Sequence, residues 1–184
     1  MFRKLLAGLL TGIMVGCAAV PESLQTTTDH PLTDITALHQ QGTQAVGQEV
    51  RLGGMIAAIR NDATETRLEI VAMPIGRDGK PKPDQALQQR FAAYVSGFLE
   101  PMQYQPGRLI TVAGRVSGTE SGQVGDYPYL YPVVKASGVQ LWQVKQEVWL
   151  DDFDRFSHCV GAYCPPVWIR DGYTRGEIRE RVTH

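Results

Sequence analysis

The sequence predicts a mainly β domain, a small OB-like Greek-key barrel of about five strands with short helical inserts. Three observations lead there. Apolar residues alternate with period two over several stretches of strand length. Those stretches are separated by turn-forming clusters, in a chain with 19 Gly and 11 Pro, a supply that suits tight turns. The first stretch is long and carries two adjacent glycines at its middle, where a single strand can bend to serve two sheets. A sandwich with extra edge strands is the competing topology. No repeat of 20–50 residues suggests a solenoid or propeller.

The chain opens with Arg3 and Lys4, an apolar run from Leu5 to Val15, and then Gly16-Cys17. A charged start and about 7–15 apolar residues make a secretory signal, whereas a spanning helix needs about 20. Its exit, Met14-Val15-Gly16-Cys17, is similar to a bacterial lipobox, so residues 1–16 read as a cleaved signal and Cys17 as the lipidation site. The chemistry requires a cysteine, because its thiolate takes the diacylglycerol and cleavage frees its amine for another acyl chain. Two or more chains anchor stably where one does not. Ala18 in place of Asp, by resemblance to Gram-negative lipoproteins, implies the outer membrane rather than the inner. Residues 17–32, with Pro21, Pro31 and three consecutive threonines, show no periodicity and read as a flexible, lipid-attached tether.

Residues 33–144 form the expected domain. Thr33 to Gln41 suits a short helix capped by Thr33 or Asp34, with Ile35 and Leu38 on its apolar face. Gln48 to Arg60 is the first strand, with Val50, Leu52, Ile56 and Ala58 on one side and Arg51, Met55 and Ile59 on the other. Gly53-Gly54 marks a bend, bulge or close backbone approach. Thr64 to Met73 alternates cleanly, which turns Thr66, Leu68 and Ile70 inward and leaves Glu65, Arg67 and Glu69 solvated. Pro74 to Pro83 reads as an exposed loop, and Asp84 to Gln89 as a local helical turn before a third strand from Arg90. Leu109 to Ser117 is a fourth strand. Gly118 to Asp126 reads as a glycine-rich hairpin loop, leading to a fifth stretch, Tyr127 to Val144, whose Leu130, Val134, Val139, Leu141 and Trp142 help close the core. Residues 145–184 are left as an aromatic-rich tail.

A net charge of −1 gives no basic footprint, which argues against a nucleic-acid partner. With Cys17 acylated, Cys159 and Cys164 remain as an even pair in an oxidising compartment. A local disulfide is one reading; free thiols or a metal site with His158 are the others, although zinc wants four ligands and three are present. No catalytic motif appears: there is no G-x-S-x-G, no H-E-x-x-H and no phosphate-binding glycine loop. No cofactor or metal site is implied. Tyr127, Tyr129 and Tyr131 recur with period two, so three rings line one strand face, either as a binding surface or as packing.

Several blocks then resemble one family. Val50-Arg51-Leu52-Gly53-Gly54, the run Thr66 to Pro74, Ser96-Gly97-Phe98-Leu99-Glu100-Pro101-Met102-Gln103-Tyr104 and Gly138-Val139-Gln140-Leu141-Trp142 are similar to the Slp family. These are starvation-inducible outer-membrane lipoproteins of Gram-negative bacteria. The resemblance implies an outer-membrane address with the domain facing the periplasm, a role in stress, and no catalytic residues. The expected function is a structural or binding module that touches an envelope protein or glycan, anchored in the outer membrane through Cys17. A hydrolase acting on peptidoglycan or lipid is the alternative.

Overall fold

The computed structural model describes residues 19–150 and 176–183. Cys17, His158, Cys159 and Cys164 lie outside the described residues, as do the signal segment and most of the tail.

Six strands form one sheet: β1 (Glu49–Asn61), β2 (Glu65–Met73), β3 (Arg90–Ser96), β4 (Leu109–Val124), β5 (Tyr127–Leu150) and β6 (Gly176–Thr183). Their order is β3-β2-β1-β4-β5-β6, and β3 also pairs with β5, which closes the first five into a ring. All neighbours are antiparallel except β3 and β5, which run parallel across Ala92↔Val133, Ala93↔Val134 and Tyr94↔Lys135. This is the Greek-key ring that the OB-like expectation requires. β1, β3 and β5 finish at one end, called upper here, and begin at the other, the lower.

The ring is filled by Val50, Leu52, Ile56, Leu68, Ile70, Phe91, Ile110, Val112 and Val134, all buried. The one α-helix among the described residues, α1 (Ile35–Gln41), plugs the lower end with Ile35 and Leu38. Asp34 caps it, its Oδ1 accepting from the Thr36 amide at 2.8 Å.

β1 reaches two sheets by the expected device. It pairs with β4 through Glu49–Met55 and with β2 from Gly53 onward, so the glycines sit where the two ladders overlap. Both glycines are there for close approach. A Cβ on Gly53 would lie 2.3 Å from Ile75 Cγ2, and one on Gly54 would lie 2.2 Å from the Val71 carbonyl oxygen. The bulge falls further on, where the register with β2 slips between Ile56 and Ala58. An extra residue inverts the pleat. Ala58, expected inside, is therefore exposed, and Ile59 packs against the core instead.

Other expectations change as well. The segment read as a flexible tether is bound to the ring from Val20 to Leu32. A 3-10 turn, Glu22–Leu24, buries Leu24 completely against Met73, Leu109, Ala113 and Trp142 on the outside of the sheet. Gly138 lets the Ser23 backbone in, since a Cβ there would lie 1.8 Å from the Ser23 carbonyl oxygen. Arg51 Nε donates to the Leu24 carbonyl at 2.9 Å, and Leu32 bridges to Val50. A lone leucine in a polar stretch carries no periodicity, so its burial is invisible to pattern reading.

The loop Pro74–Pro83 is not free either. It doubles back through an Ile75–Pro81 bridge and buries Gly79 and Pro81 over the Gly53 site, with Thr111 Oγ1 donating to the Gly79 carbonyl at 2.7 Å. Residues 84–89 do not turn helically; the Gln88 amide donates to the Ala72 carbonyl, extending the β2–β3 pairing. The glycine-rich stretch read as a loop is ladder almost throughout, because β4 and β5 stay paired out to Val124↔Tyr127 around a Gly125-Asp126 turn. This arm leaves Leu130 on its outer side and exposed, not in the core. Beyond Trp142, β5 continues into a ribbon with β6, pairing Gln143↔Thr183 through Leu150↔Gly176. Strand pairing thus passes the expected boundary at residue 144.

Leu24→Ala is expected to destabilise the domain by about 2–4 kcal/mol in urea unfolding, as for other fully buried leucines. A substitution in a free tether would leave the midpoint unchanged.

Candidate functional site

In an OB-like ring the outer face of β2 and β3, together with the β1–β2 and β4–β5 loops, is where oligosaccharides and single strands bind. Here the β4–β5 connection is the arm, and it folds back onto that face. One side of the arm carries Glu120, Gly122 and Val124 from β4, directly opposite Tyr131, Tyr129 and Tyr127 from β5. That side meets Arg67 and Glu69 of β2 and Arg90 and Tyr94 of β3.

The three tyrosines share a face, as their spacing requires, but their surroundings differ steeply. Tyr131 is 1 % exposed and its hydroxyl donates to the Gln123 carbonyl at 3.0 Å. Gly122 makes room for its ring, for a Cβ there would lie 2.9 Å from Tyr131 Cε2. The Tyr129 ring stands 4.7 Å from that of Tyr131, and its hydroxyl accepts from the Arg90 amide at 2.9 Å. His39 of α1 meets Tyr129 edge-on at 6.2 Å. Tyr127 is 71 % exposed. Packing holds the inner two rings, and the outermost is the most open to a ligand.

The charges expected to be solvated are instead the adhesive under the arm. Arg67 lies 2.6 Å from Glu120 and 3.7 Å from Glu69, and Arg90 also pairs with Glu69. Tyr94 donates its hydroxyl to the other Glu120 oxygen at 2.6 Å. The Arg67 guanidinium also lies 5.2 Å from the centre of the Tyr131 ring. The side chains of Arg67 and Glu69 are only 13 % and 12 % exposed, so water screens these pairs less than it screens a surface pair. The Glu120 hydrogen bond, followed by burial, raises the pKa of Tyr94; burial, followed by the Glu69 charge, raises that of Tyr131. Both phenols are thereby held neutral as donors.

A groove of about 590 Å³ opens at the lower end, between α1, the start of β3 and the arm. Tyr127, Tyr129 and Val124 form its apolar wall, while Thr36, Gln88, Gln89 and Arg90 supply polar edges. A flat ring beside amide and guanidinium groups can stack and hydrogen-bond a ligand. Among the described residues no group of three or more His, Cys, Asp or Glu side chains could hold a metal ion.

Sequence reasoning found the tyrosine stripe but missed Glu120 and the role of Arg67. A signal was available, since Gly125-Asp126 is a two-residue hairpin turn flanked by alternating residues.

Comparison with known proteins adds the lineage. The model of the outer membrane lipoprotein Slp family matches residues 14–173. The chain is 32% identical over 146 residues to an uncharacterized lipoprotein, YeaY, of Escherichia coli K12, covering 79% of this chain and 75% of that one. It is 29% identical over 167 residues to the outer membrane protein Slp of the same organism, covering 90% and 88%. An uncharacterized protein of Haemophilus influenzae Rd is 32% identical over 130 residues, 70% of each chain.

Tyr94→Phe removes a hydrogen bond to a charged acceptor and is expected to cost about 1–3 kcal/mol at neutral pH. Because the folded pKa of Tyr94 is raised, that stabilisation is complete below about pH 10, the unfolded tyrosine value, and is lost as pH rises through the folded one. Urea unfolding of both proteins should therefore show the difference shrinking above about pH 10.

Proposed function

The chain belongs to the outer membrane lipoprotein Slp family, and from that premise we propose that it is a lipid-anchored binding module facing the periplasm. Cys17 carries the acyl chains that hold it in the outer membrane, and the family's association with starvation makes envelope stress its setting. The ring presents a docking groove for an envelope protein or glycan. The observation that carries the binding role is the exposed Tyr127 beside Gln88, Gln89 and Arg90, at the end of the ring away from the chain's entry. No other aromatic of the stripe is comparably open.

A binding role is favoured over two-carboxylate glycoside hydrolysis by the state of the carboxylates under the arm. Glu69 and Glu120 line one hollow, yet each is taken up by a guanidinium, Arg67 or Arg90, and Glu120 also by Tyr94. A glycoside hydrolase of the two-carboxylate kind needs one carboxyl free to give a proton and another free to activate water. A disulfide between Cys159 and Cys164 would suit the same exported setting.

Cys17→Ser is expected to abolish acyl labelling and shift the protein from the membrane to the soluble periplasmic fraction; persistent labelling would end the lipoprotein reading. A photoreactive phenylalanine analogue replacing Tyr127 should capture a partner in living cells. Gel shift with peptide mass analysis identifies a protein, and glycosidase-sensitive adducts identify a glycan. The same analogue replacing Leu87, exposed but outside the groove lining, should capture nothing, and equal yields would refute the groove.

A further inference from the structure

We propose that the upper end of the ring is a membrane seat, with Phe98 and Met102 set into the headgroup region of the bilayer that holds the lipid of Cys17. The inference rests on the acylation of Cys17 proposed above.

The path of the chain fixes which end faces the membrane. Val20 packs against the outer cluster of Leu24, Met73, Leu109, Ala113 and Trp142, Ser23 lies against Gly138, and Gln25 to Thr27 lie beside Lys135 to Ser137. The segment therefore runs down β5 from its upper part, and Ala19 marks the upper end. Only Ala18 separates Ala19 from Cys17. Two residues of extended chain span at most about 7 Å. A headgroup layer is itself about 5–7 Å deep, so the domain has no slack with which to stand away from the surface.

The same end carries an apolar feature with no partner among the described residues. The loop between β3 and β4, residues 97–108, crosses the upper end and is firmly fixed. Its Gly97 amide donates to the Thr64 carbonyl at 2.8 Å, and Thr66 Oγ1 both donates to the Gly97 carbonyl and accepts from the Leu99 amide. At its far side the Gly107 amide donates to the Ile56 carbonyl at 2.9 Å. Leu99 and Tyr104 turn inward and pack against the core. Phe98 and Met102 turn outward, 68 % and 76 % exposed. A loop pinned at both ends and plugged from within cannot fold these two side chains away. Charges around them have both signs, Arg60 and Arg108 against Asp62 and Glu100, so the seat is held by apolar insertion and not by attraction to anionic lipid.

The test uses the full-length acylated chain in vesicles of phosphatidylethanolamine and phosphatidylglycerol. A photoreactive benzoylphenylalanine replaces Phe98, Met102 or, as the lower-end control, Tyr127. After irradiation, lipid adducts are measured by mass spectrometry on protein that floats with the vesicles. Adducts at positions 98 and 102 are expected to exceed those at 127 by about tenfold or more, as befits groups within rather than above the interface. Equal yields at the three positions, or floating protein without adducts at 98 and 102, would overturn the seat while leaving the anchor intact. Protein that does not float and carries no acyl mass on Cys17 would overturn the anchor and the seat together.

Discussion

Three residue pairs between β3 and β5 close the ring, and they can form only because β1 curls far enough to bring the two edges together. That curl depends on backbone contact at Gly53 and Gly54, where Ile75 and the Val71 carbonyl occupy the space of a side chain. Once closed, the ring has an interior for Phe91, Ile110 and Val134, an end for α1 to plug and no bare edge at β3. The outer features follow. Leu24 and the Ile75–Pro81 loop cover the outside of β1 and β4, while the arm covers β2 and β3. One strand, β5, takes part in the ring, the arm and the ribbon with β6.

The arm changes what the fold can be used for. The surface that OB-like rings offer to polymers is closed by Tyr131 and by the charges of Arg67, Glu69 and Glu120. Such a network is held by geometry on several sides at once, and an incoming ligand would have to replace every contact it displaced. Open surface is thereby moved from the flank of the ring to its ends. The groove lies at the lower end and the fixed loop with Phe98 and Met102 at the upper.

Much of this organisation was legible from alternation and turn chemistry. The helix cap at Asp34, the inward residues of β2 and the long bent first strand all follow from local pattern. The misses have specific causes. A one-residue bulge exchanged Ala58 for Ile59, which no periodicity can foresee. Leu24 is a single apolar residue whose burial depends on a glycine more than a hundred positions away in the sequence. Arg67 and Glu69 alternate like a solvent face, and only the long-range fold of the arm places Glu120 over them. Strand β6 pairs outside the ring, where its charged residues gave no hydrophobic alternation to read. Long-range contact, not local propensity, is the common element.

The bound entry segment also has a mechanical consequence. If the proposed lipid at Cys17 and a partner at Tyr127 pulled against each other, tension would enter the domain at Val20 and run along the segment toward Leu32. That segment lies lengthwise on the sheet, gripped at Ser23, at Leu24 and through the Leu32–Val50 bridge. The pull is therefore a shear, shared among these grips, instead of a peeling force that opens them one at a time. Such an anchor would be strain-relieved before load reached the ring, much as a cable is clamped ahead of its plug.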